Sequence, residues 1–150
     1  MIHEDLNREL KEAMKAREAV RLSVIRDLKS AFTNELVSLG KKPDDLLDDE
    51  NALKVVRRKI NQRKDSIEQY KKAGRDELVA KERSELEVLE GYLPTQLNDE
   101  EIQELVEKKK KELEISEAKD MGRLIGAVMK EVGSRADGKR VQEIVKNSIS

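Results

Sequence analysis

Three positively charged residues lie close together near the end of the chain, at a glycine-rich break between two helical segments. They are Arg135, Lys139 and Arg140, and the break runs from Gly133 to Gly138. The first amides of a helix point outward and carry partial positive charge, so cations beside them favour the binding of an anion such as phosphate. The alternative is a solvated turn in which Asp137 meets those amides itself. The charge pattern leaves both open and slightly favours the turn.

Four of the seven glycines stand in this region, at Gly122, Gly126, Gly133 and Gly138. Gly122 and Gly126 are four positions apart and therefore lie on one face of a helix, where each costs about 1 kcal/mol of helix propensity relative to alanine. Such a cost predicts a compensating gain, and the favoured interpretation is close approach of another helix. Phosphate binding by the glycines is the weaker alternative, because no P-loop motif is present.

A second group of cations falls on the predicted third helix. Its members are Lys54, Arg57, Arg58, Lys59, Arg63 and Lys64. At 100° per residue these positions spread over much of the polar face instead of forming one stripe. The pattern therefore favours an ordinary solvated helix surface, with phosphate contact as the minor alternative.

Residues that would support catalysis or metal binding are scarce. His3 is the only histidine and falls at the predicted frayed end of the first helix, which favours a surface residue over a general base or metal ligand. Acidic pairs such as Asp44 and Asp45 lie in turns, where solubility and capping explain them. Cysteine is absent and no acidic run has EF-hand spacing. The sequence thus predicts no catalytic residues, no metal and no cofactor.

The elements that position these residues are all predicted to be helices. Apolar residues recur three and four positions apart along most of the chain, and no segment alternates with a period of two. We therefore expect an all-α fold that begins with a bundle of about four helices. Gly40 is predicted to end the second helix and Gly74 the third, with a turn at Lys42 to Asp45 between them.

Pro94 marks the clearest boundary, because the residue before a proline is disfavoured in helical geometry. We expect an N-terminal helical domain at residues 1–93 and a small three-helix domain at residues 94–150. Asn98 and Glu101 form a predicted capping pair for the fifth helix, while Asp120 and Asp137 are predicted to cap the sixth and seventh.

Composition limits the partners that this chain can have. Lys and Arg number 31 against 32 for Asp and Glu, so any surface for a polyanion must be local. The acidic start MIHEDLNREL lacks the pattern of a signal peptide, and no apolar run has the length of a membrane span. Together with the absence of cysteine, these features lead us to expect a cytoplasmic protein without a membrane partner.

Three separated segments resemble the YqeY proteins, which are similar to the C-terminal tail domain of GatB, a subunit of the tRNA-dependent amidotransferase. The segments are RLSVIRDLKSAF at Arg21–Phe32, QRKDSIEQYKKAGRDELVAKERSELEVLEGYLPTQL at Gln62–Leu97, and DMGRLIGAVMKEVGSRADGKRVQEIV at Asp120–Val145. The resemblance implies a larger N-terminal helical part and a three-helix C-terminal part, the division placed above at Pro94.

The same resemblance implies an RNA partner. The tail domain helps amidotransferases to hold tRNA, and a similar domain in some bacterial glutaminyl-tRNA synthetases contacts the outer corner of the tRNA. This raises the anion-site interpretation of Arg135, Lys139 and Arg140 above the solvated turn, with Arg123 and Lys130 as weaker candidates for the same surface. The catalytic regions of the amidotransferase have no counterpart in this chain.

The leading hypothesis is therefore a free-standing, non-catalytic module that binds structured RNA, with tRNA as the first candidate. Aromatic residues that could stack on bases are few, so such binding would depend on shape and backbone contacts. One alternative is a protein-interaction module that docks on a synthetase or amidotransferase assembly. The other is a component with glutamine-dependent tRNA amidotransferase activity, which is a carbon-nitrogen ligase. No set of residues in the sequence predicts this activity.

Overall fold

The computed structural model describes residues 1–149, and all of the regular structure within that range is helical. The seven α-helices of this range are α1 (Ile2–Ala16), α2 (Ala19–Ser38), α3 (Asp49–Lys72), α4 (Asp76–Glu90), α5 (Asp99–Leu113), α6 (Met121–Val132) and α7 (Gly138–Ile149). Short 3-10 turns at Ala118–Asp120 and Gly133–Arg135 precede α6 and follow it. The all-α prediction is confirmed for the described residues.

The chain divides into two compact units, Met1–Leu93 and Pro94–Ser150, which we call the N-terminal unit and the C-terminal unit. Each unit has a hydrophobic core of its own. In the N-terminal unit, Leu6 of α1, Leu28 and Phe32 of α2, Ile60 of α3 and Leu89 of α4 are fully or almost fully buried together. The four helices therefore meet around one core.

In the C-terminal unit the core comes from one face of each helix. Its buried residues are Ile102 and Val106 of α5, Leu124, Val128 and Val132 of α6, and Val141, Ile144 and Val145 of α7, with Ile115 and Ala136 from the connections. The opposite faces of α5 and α7 are left mainly to polar and charged side chains, and that of α6 to charged side chains and two glycines.

Glycine ends α2 and α3, as predicted. The backbone φ angle is 74° at Gly40 and 68° at Gly74, in the left-handed region that glycine adopts without a steric penalty. After α2, the amide of Gly40 donates to the carbonyl of Val37 at 3.0 Å and that of Lys41 donates to Leu36 at 2.9 Å. This pair of hydrogen bonds is a Schellman motif, which satisfies carbonyls that the helix leaves without partners.

The start of α5 confirms the predicted capping pair. The side chain of Asn98 accepts from the amide of Glu101 at 2.8 Å, and the carboxylate of Glu101 accepts from the amide of Asn98 at 3.2 Å. Asp137 also caps as predicted, because its carboxylate accepts from the amide of Lys139 at 3.2 Å. The prediction for Asp120 is wrong in one respect: α6 begins where expected, but the Asp120 side chain makes no capping hydrogen bond.

The predicted position of His3 at a frayed helix end is also wrong. Helix α1 begins at Ile2, so His3 lies within an ordered first turn instead of at a frayed end. Its Nδ1 atom accepts a hydrogen bond from the backbone amide of Leu47 at 2.8 Å. Periodicity could not show this contact, because it joins residues 44 positions apart.

No helix within residues 1–149 has both the length and the apolar character that crossing a bilayer requires.

Candidate functional site

The connection between α6 and α7 is held in place from the start of the C-terminal unit. The amide of Leu97 donates to the carbonyl of Arg135 at 2.8 Å, and Gln96 Nε2 donates to the carbonyl of Ser134 at 3.0 Å. The Arg135 side chain folds back over the last turn of α6, where it donates to the carbonyl of Glu131 at 3.3 Å. Arg135 is exposed and forms no ion pair with any described residue.

Arg140 has a different environment, because two carboxylates hold its guanidinium group. Its Nε donates to Asp99 Oδ1 at 2.9 Å, its Nη2 contacts Asp99 Oδ2, and its Nη1 donates to Glu143 at 2.8 Å. The hydrogen bonds from Arg140 lower the pKa of Asp99, which keeps this carboxylate ionised. The charge of Arg140 is therefore largely neutralised within the protein.

Asp137 occupies the amides at the start of α7. Its carboxylate binds the amide of Lys139, and its carbonyl accepts the amide of Val141 at 3.0 Å. The solvated-turn alternative thus describes the backbone of this helix start better than an open anion site does. The Lys139 side chain nevertheless remains exposed and forms no ion pair with a described residue.

Helix α6 carries two more exposed cations, Arg123 and Lys130. They are seven positions apart, so they lie on one face and about 10 Å apart along the helix axis. Arg123 donates to the carbonyl of Leu113 at 2.8 Å, which fixes the side chain without neutralising it. Neither residue forms an ion pair with the described part of the chain.

The glycines of α6 do not serve close helix packing, so that interpretation is wrong. A Cβ atom added at Gly122 or at Gly126 would meet nothing within 4 Å. Both residues are exposed and lie on the side of α6 that carries Arg123 and Lys130. The helix therefore presents bare backbone to solvent beside these two cations.

We call Arg123, Lys130, Arg135 and Lys139 the α6–α7 cationic surface. Helices α6 and α7 contact each other beside this surface. A Cβ atom added at Gly138, where α7 begins, would lie 3.7 Å from the Met129 side chain of α6. The other predicted site residue, Arg140, lies one position beyond Lys139 but is occupied by its carboxylate partners. Sequence alone could not separate these two neighbours, because Asp99 is 41 positions from Arg140.

Charge is unevenly distributed within the C-terminal unit. Residues 94–117, which include α5, contain eight acidic and four basic side chains, whereas residues 118–149 contain four acidic and seven basic ones. One acidic residue of the second group, Glu131, is paired with Lys109 of α5 at 2.8 Å. A local positive surface therefore exists in a chain whose net charge is close to zero.

The second basic group, on α3, is taken up mainly by ion pairs inside the N-terminal unit. Lys54 pairs with Glu50, Arg58 with Glu35, Lys59 with Asp27, and Arg63 with Asp27, Glu82 and Glu85. Lys54 and Arg58 are exposed, which agrees with the favoured interpretation of a solvated helix surface, whereas Arg63 is only 16% exposed and departs from it. In the described residues, no cluster of three or more His, Asp or Glu side chains suits a metal ion.

The architecture thus defines a class of protein: an all-helical chain of two compact units, the second of which carries a cationic surface on α6 and at the start of α7. The model of the Yqey-like protein family matches residues 3–149, nearly the whole chain. The chain belongs to the YqeY-like family, as the three sequence segments predicted.

Curated relatives carry the name altered inheritance of mitochondria protein 41, mitochondrial. The protein from Pyrenophora tritici-repentis is 31% identical over 148 residues, which are 93% of this chain and 78% of that protein. The one from Vanderwaltozyma polyspora is 32% identical over 154 residues, covering 96% and 77%. For Lachancea thermotolerans the identity is 42% over 90 residues, and the match covers 59% of this chain and 46% of that protein.

These relatives contradict the expected cytoplasmic location, because their names assign them to mitochondria. The error has a physical reason. Balanced charge and an absence of cysteine suit any reducing, aqueous compartment, so composition does not distinguish one such compartment from another.

Proposed function

We propose that the chain is a non-catalytic module that binds structured RNA through the α6–α7 cationic surface. One observation carries the proposal: Arg123, Lys130, Arg135 and Lys139 are exposed and form no ion pair within residues 1–149, although most other cations discussed above are paired. Cations that are not neutralised by the protein can displace counterions from a phosphate backbone, which is the main source of affinity for nucleic acid.

The chemistry of this surface favours contacts to the sugar-phosphate backbone over contacts to unstacked bases. Phe32, Tyr70 and Tyr92 are the only aromatic residues besides histidine, and all belong to the N-terminal unit. The C-terminal unit therefore lacks the side chains on which single-stranded bases stack. The bare backbone at Gly122 and Gly126 supports the same conclusion, because a folded RNA can approach α6 closely there.

Transfer RNA is the first ligand to test, because the resemblance to the GatB tail domain implies it. The curated relatives are named as mitochondrial proteins, so mitochondrial tRNA should be tested beside bacterial tRNA. A DNA duplex of similar length is a useful comparison. Recognition of A-form shape and 2′-hydroxyl groups predicts weaker binding to that duplex.

Two alternatives lead to different experiments. An aminoacyl-tRNA synthetase or amidotransferase assembly as a protein partner is supported by exposed apolar side chains at Val37, Leu39 and Leu46. Co-purification of such a partner that survives nuclease and high salt would favour this alternative. If the chain were a catalytic amidotransferase component, the purified protein would transfer ammonia from glutamine to mischarged tRNA. The proposal of a non-catalytic module predicts no such transfer.

The decisive test replaces all four residues of the cationic surface with alanine. We expect this variant to bind tRNA at least about tenfold more weakly at about 0.1 M salt, and the slope of log K against log salt to become shallower by about one for each lost phosphate contact. Fluorescence anisotropy of labelled tRNA measures both quantities. Circular dichroism at 222 nm verifies that the variant keeps its helix content.

A matched control removes four exposed lysines outside the surface, Lys64, Lys71, Lys108 and Lys111, none of which has a described ion pair. This control changes the net charge equally, so it separates a local surface from general electrostatic attraction. The proposal predicts a much smaller loss of affinity for the control. Equal losses for the two variants, or unchanged binding by the first, would refute the site.

A further inference from the structure

The only histidine of the chain joins three elements of the N-terminal unit. His3 lies in the first turn of α1, and its ring packs edge-on against Phe32 of α2, with centroids 5.1 Å apart and planes at 63°. Phe32 is completely buried. On the other side, the amide of Leu47 donates to His3 Nδ1 at 2.8 Å, from the connection between α2 and α3.

Leu47 is the apolar anchor of that connection. Its side chain is completely buried in the N-terminal core, whereas the neighbouring Leu46 is exposed. The connection is also held at its start by the amide of Lys41, which donates to the carbonyl of Leu36 of α2 at 2.9 Å, and within itself by the turn in which the amide of Asp45 donates to the carbonyl of Lys42 at 3.0 Å. The hydrogen bond to His3 therefore attaches the anchor residue to α1.

This contact requires the neutral form of the imidazole. A neutral ring has one nitrogen that accepts and one that donates, whereas a protonated ring has two donors and no acceptor. When Nδ1 accepts the Leu47 amide, the proton of the neutral ring must be on Nε2. Protonation of Nδ1 would set two donors against each other and leave the amide without its acceptor.

We propose that His3 is a pH-sensitive latch: its neutral imidazole holds the α2–α3 connection against α1 through the Leu47 amide, and its protonation releases that connection. The latch belongs to the N-terminal unit and is independent of the proposed RNA surface. Release would loosen the segment from Leu39 to Asp48 while the helices on either side remain formed.

Several charged groups lie on the elements around His3. They are Glu4 and Asp5 of α1, Lys29 of α2, Lys41, Lys42, Asp44, Asp45 and Asp48 of the connection, and Asp49 of α3. Asp49 is engaged by the amide of Ile2 at 2.9 Å, and Asp48 by the side chain of Asn51 at 2.7 Å. Burial, followed by the positive charge of Lys29, lowers the pKa of His3 below its ordinary value of 6.5.

A lowered pKa sets the direction of the pH dependence. Between the folded-state pKa and about 6.5 the unfolded chain binds more protons than the folded one. The contribution of the latch is therefore complete above about pH 6.5 and is lost as the pH falls through the folded-state pKa of His3.

Nuclear magnetic resonance tests the proposal directly, because a single histidine gives a single set of imidazole signals. We expect an Nε2–H tautomer at neutral pH. The hydrogen-exchange protection factor of the Leu47 amide should fall about tenfold or more as the pH is lowered from about 7.5 to the point at which the imidazole signals show that His3 is protonated. The Leu97 amide of the C-terminal unit, which donates to the carbonyl of Arg135, is the internal control and should keep its protection.

Two variants isolate the role of the proton. His3→Asn places a non-titrating acceptor near the position of Nδ1, so Leu47 should stay protected at both pH values. His3→Phe keeps an aromatic ring against Phe32 without an acceptor, so protection should be low at both. The latch is overturned if the Asn variant loses protection at low pH as the original does, or if the imidazole carries its neutral proton on Nδ1.

Discussion

Replacing Arg63 with methionine should destabilise the N-terminal unit strongly. The Arg63 side chain is 16% exposed and its Nη1 contacts the carboxylate of Glu85, which is 8% exposed, and that of Glu82 at 3.0 Å. Removing one partner of a buried pair costs about 3–5 kcal/mol, because the other charge is left buried without compensation. The buried Nε of Arg63 has no partner among the described residues, so we expect a loss near the lower end, about 3 kcal/mol.

The reason for this loss is tested by removing both charges together. In the double variant Arg63→Met, Glu85→Leu, the most buried carboxylate is removed with its partner, only Glu82, which is 19% exposed, is left without the arginine, and the new apolar side chains occupy a similar volume. Buried ion pairs replaced in this way are often neutral or stabilising. We expect the double variant to recover to within about 1 kcal/mol of the original protein, which would show that the cost comes from the unpaired Glu85.

Tyrosine fluorescence provides an assay specific to this unit. Both tyrosines, Tyr70 and Tyr92, lie in the N-terminal unit, and the chain has no tryptophan. Since 1 kcal/mol shifts the midpoint of a domain of this size by about 4–8 °C, the single variant should melt roughly 12–24 °C lower. Arg58→Met is the matched control: Arg58 is also on α3, but it is 54% exposed and its pair with Glu35 should contribute about 1 kcal/mol or less.

A loss of less than about 1 kcal/mol in the single Arg63 variant, the range of an exposed pair, would contradict a buried ion pair at this position. A double variant as unstable as the single one would contradict an uncompensated charge as the cause. In that case the loss would come from the packing of the arginine stem instead of from an uncompensated charge.

Two further predictions concern the C-terminal unit, and thermal unfolding followed at 222 nm measures both. Gly126→Ala should raise its stability by about 0.5–1 kcal/mol, because the added methyl group meets nothing within 4 Å and alanine is the better helix former; a lower stability would contradict the open surroundings of Gly126. Asn98→Ala should lower stability by about 1 kcal/mol by removing the capping box with Glu101, and an unchanged midpoint would show that water replaces the cap.

Features that depend on neighbouring residues could be predicted from the sequence. Gly40 and Gly74 end their helices because only a residue that tolerates positive φ closes the motif, and Asn98 caps α5 because its partner is three positions away. The recurrence of apolar residues three and four positions apart predicted the all-helical fold. The positions of the cations in the α6–α7 region were equally evident from the sequence.

The sequence did not show which of these cations form ion pairs. Arg140 and Lys139 are adjacent and look alike in sequence, but one is held by Asp99 and Glu143 while the other is exposed without a described ion pair. Gly122 and Gly126 looked suited to helix packing and instead lie open on the surface. These outcomes depend on which helix comes to lie beside which, and a pattern within one helix contains no information about that.

The sequence by itself thus determined that this protein is helical, where several of its helices begin or end, its family, and which residues carry positive charge near the C-terminus. Only the tertiary structure decided which charges are neutralised. It also showed that His3 accepts a hydrogen bond from Leu47 and that Arg63 forms an ion pair with Glu85. The physical reason is the range of the interactions. Helix formation and capping act within about four residues along the chain, whereas an ion pair or a buried hydrogen bond requires two distant segments to be brought within about 3 Å.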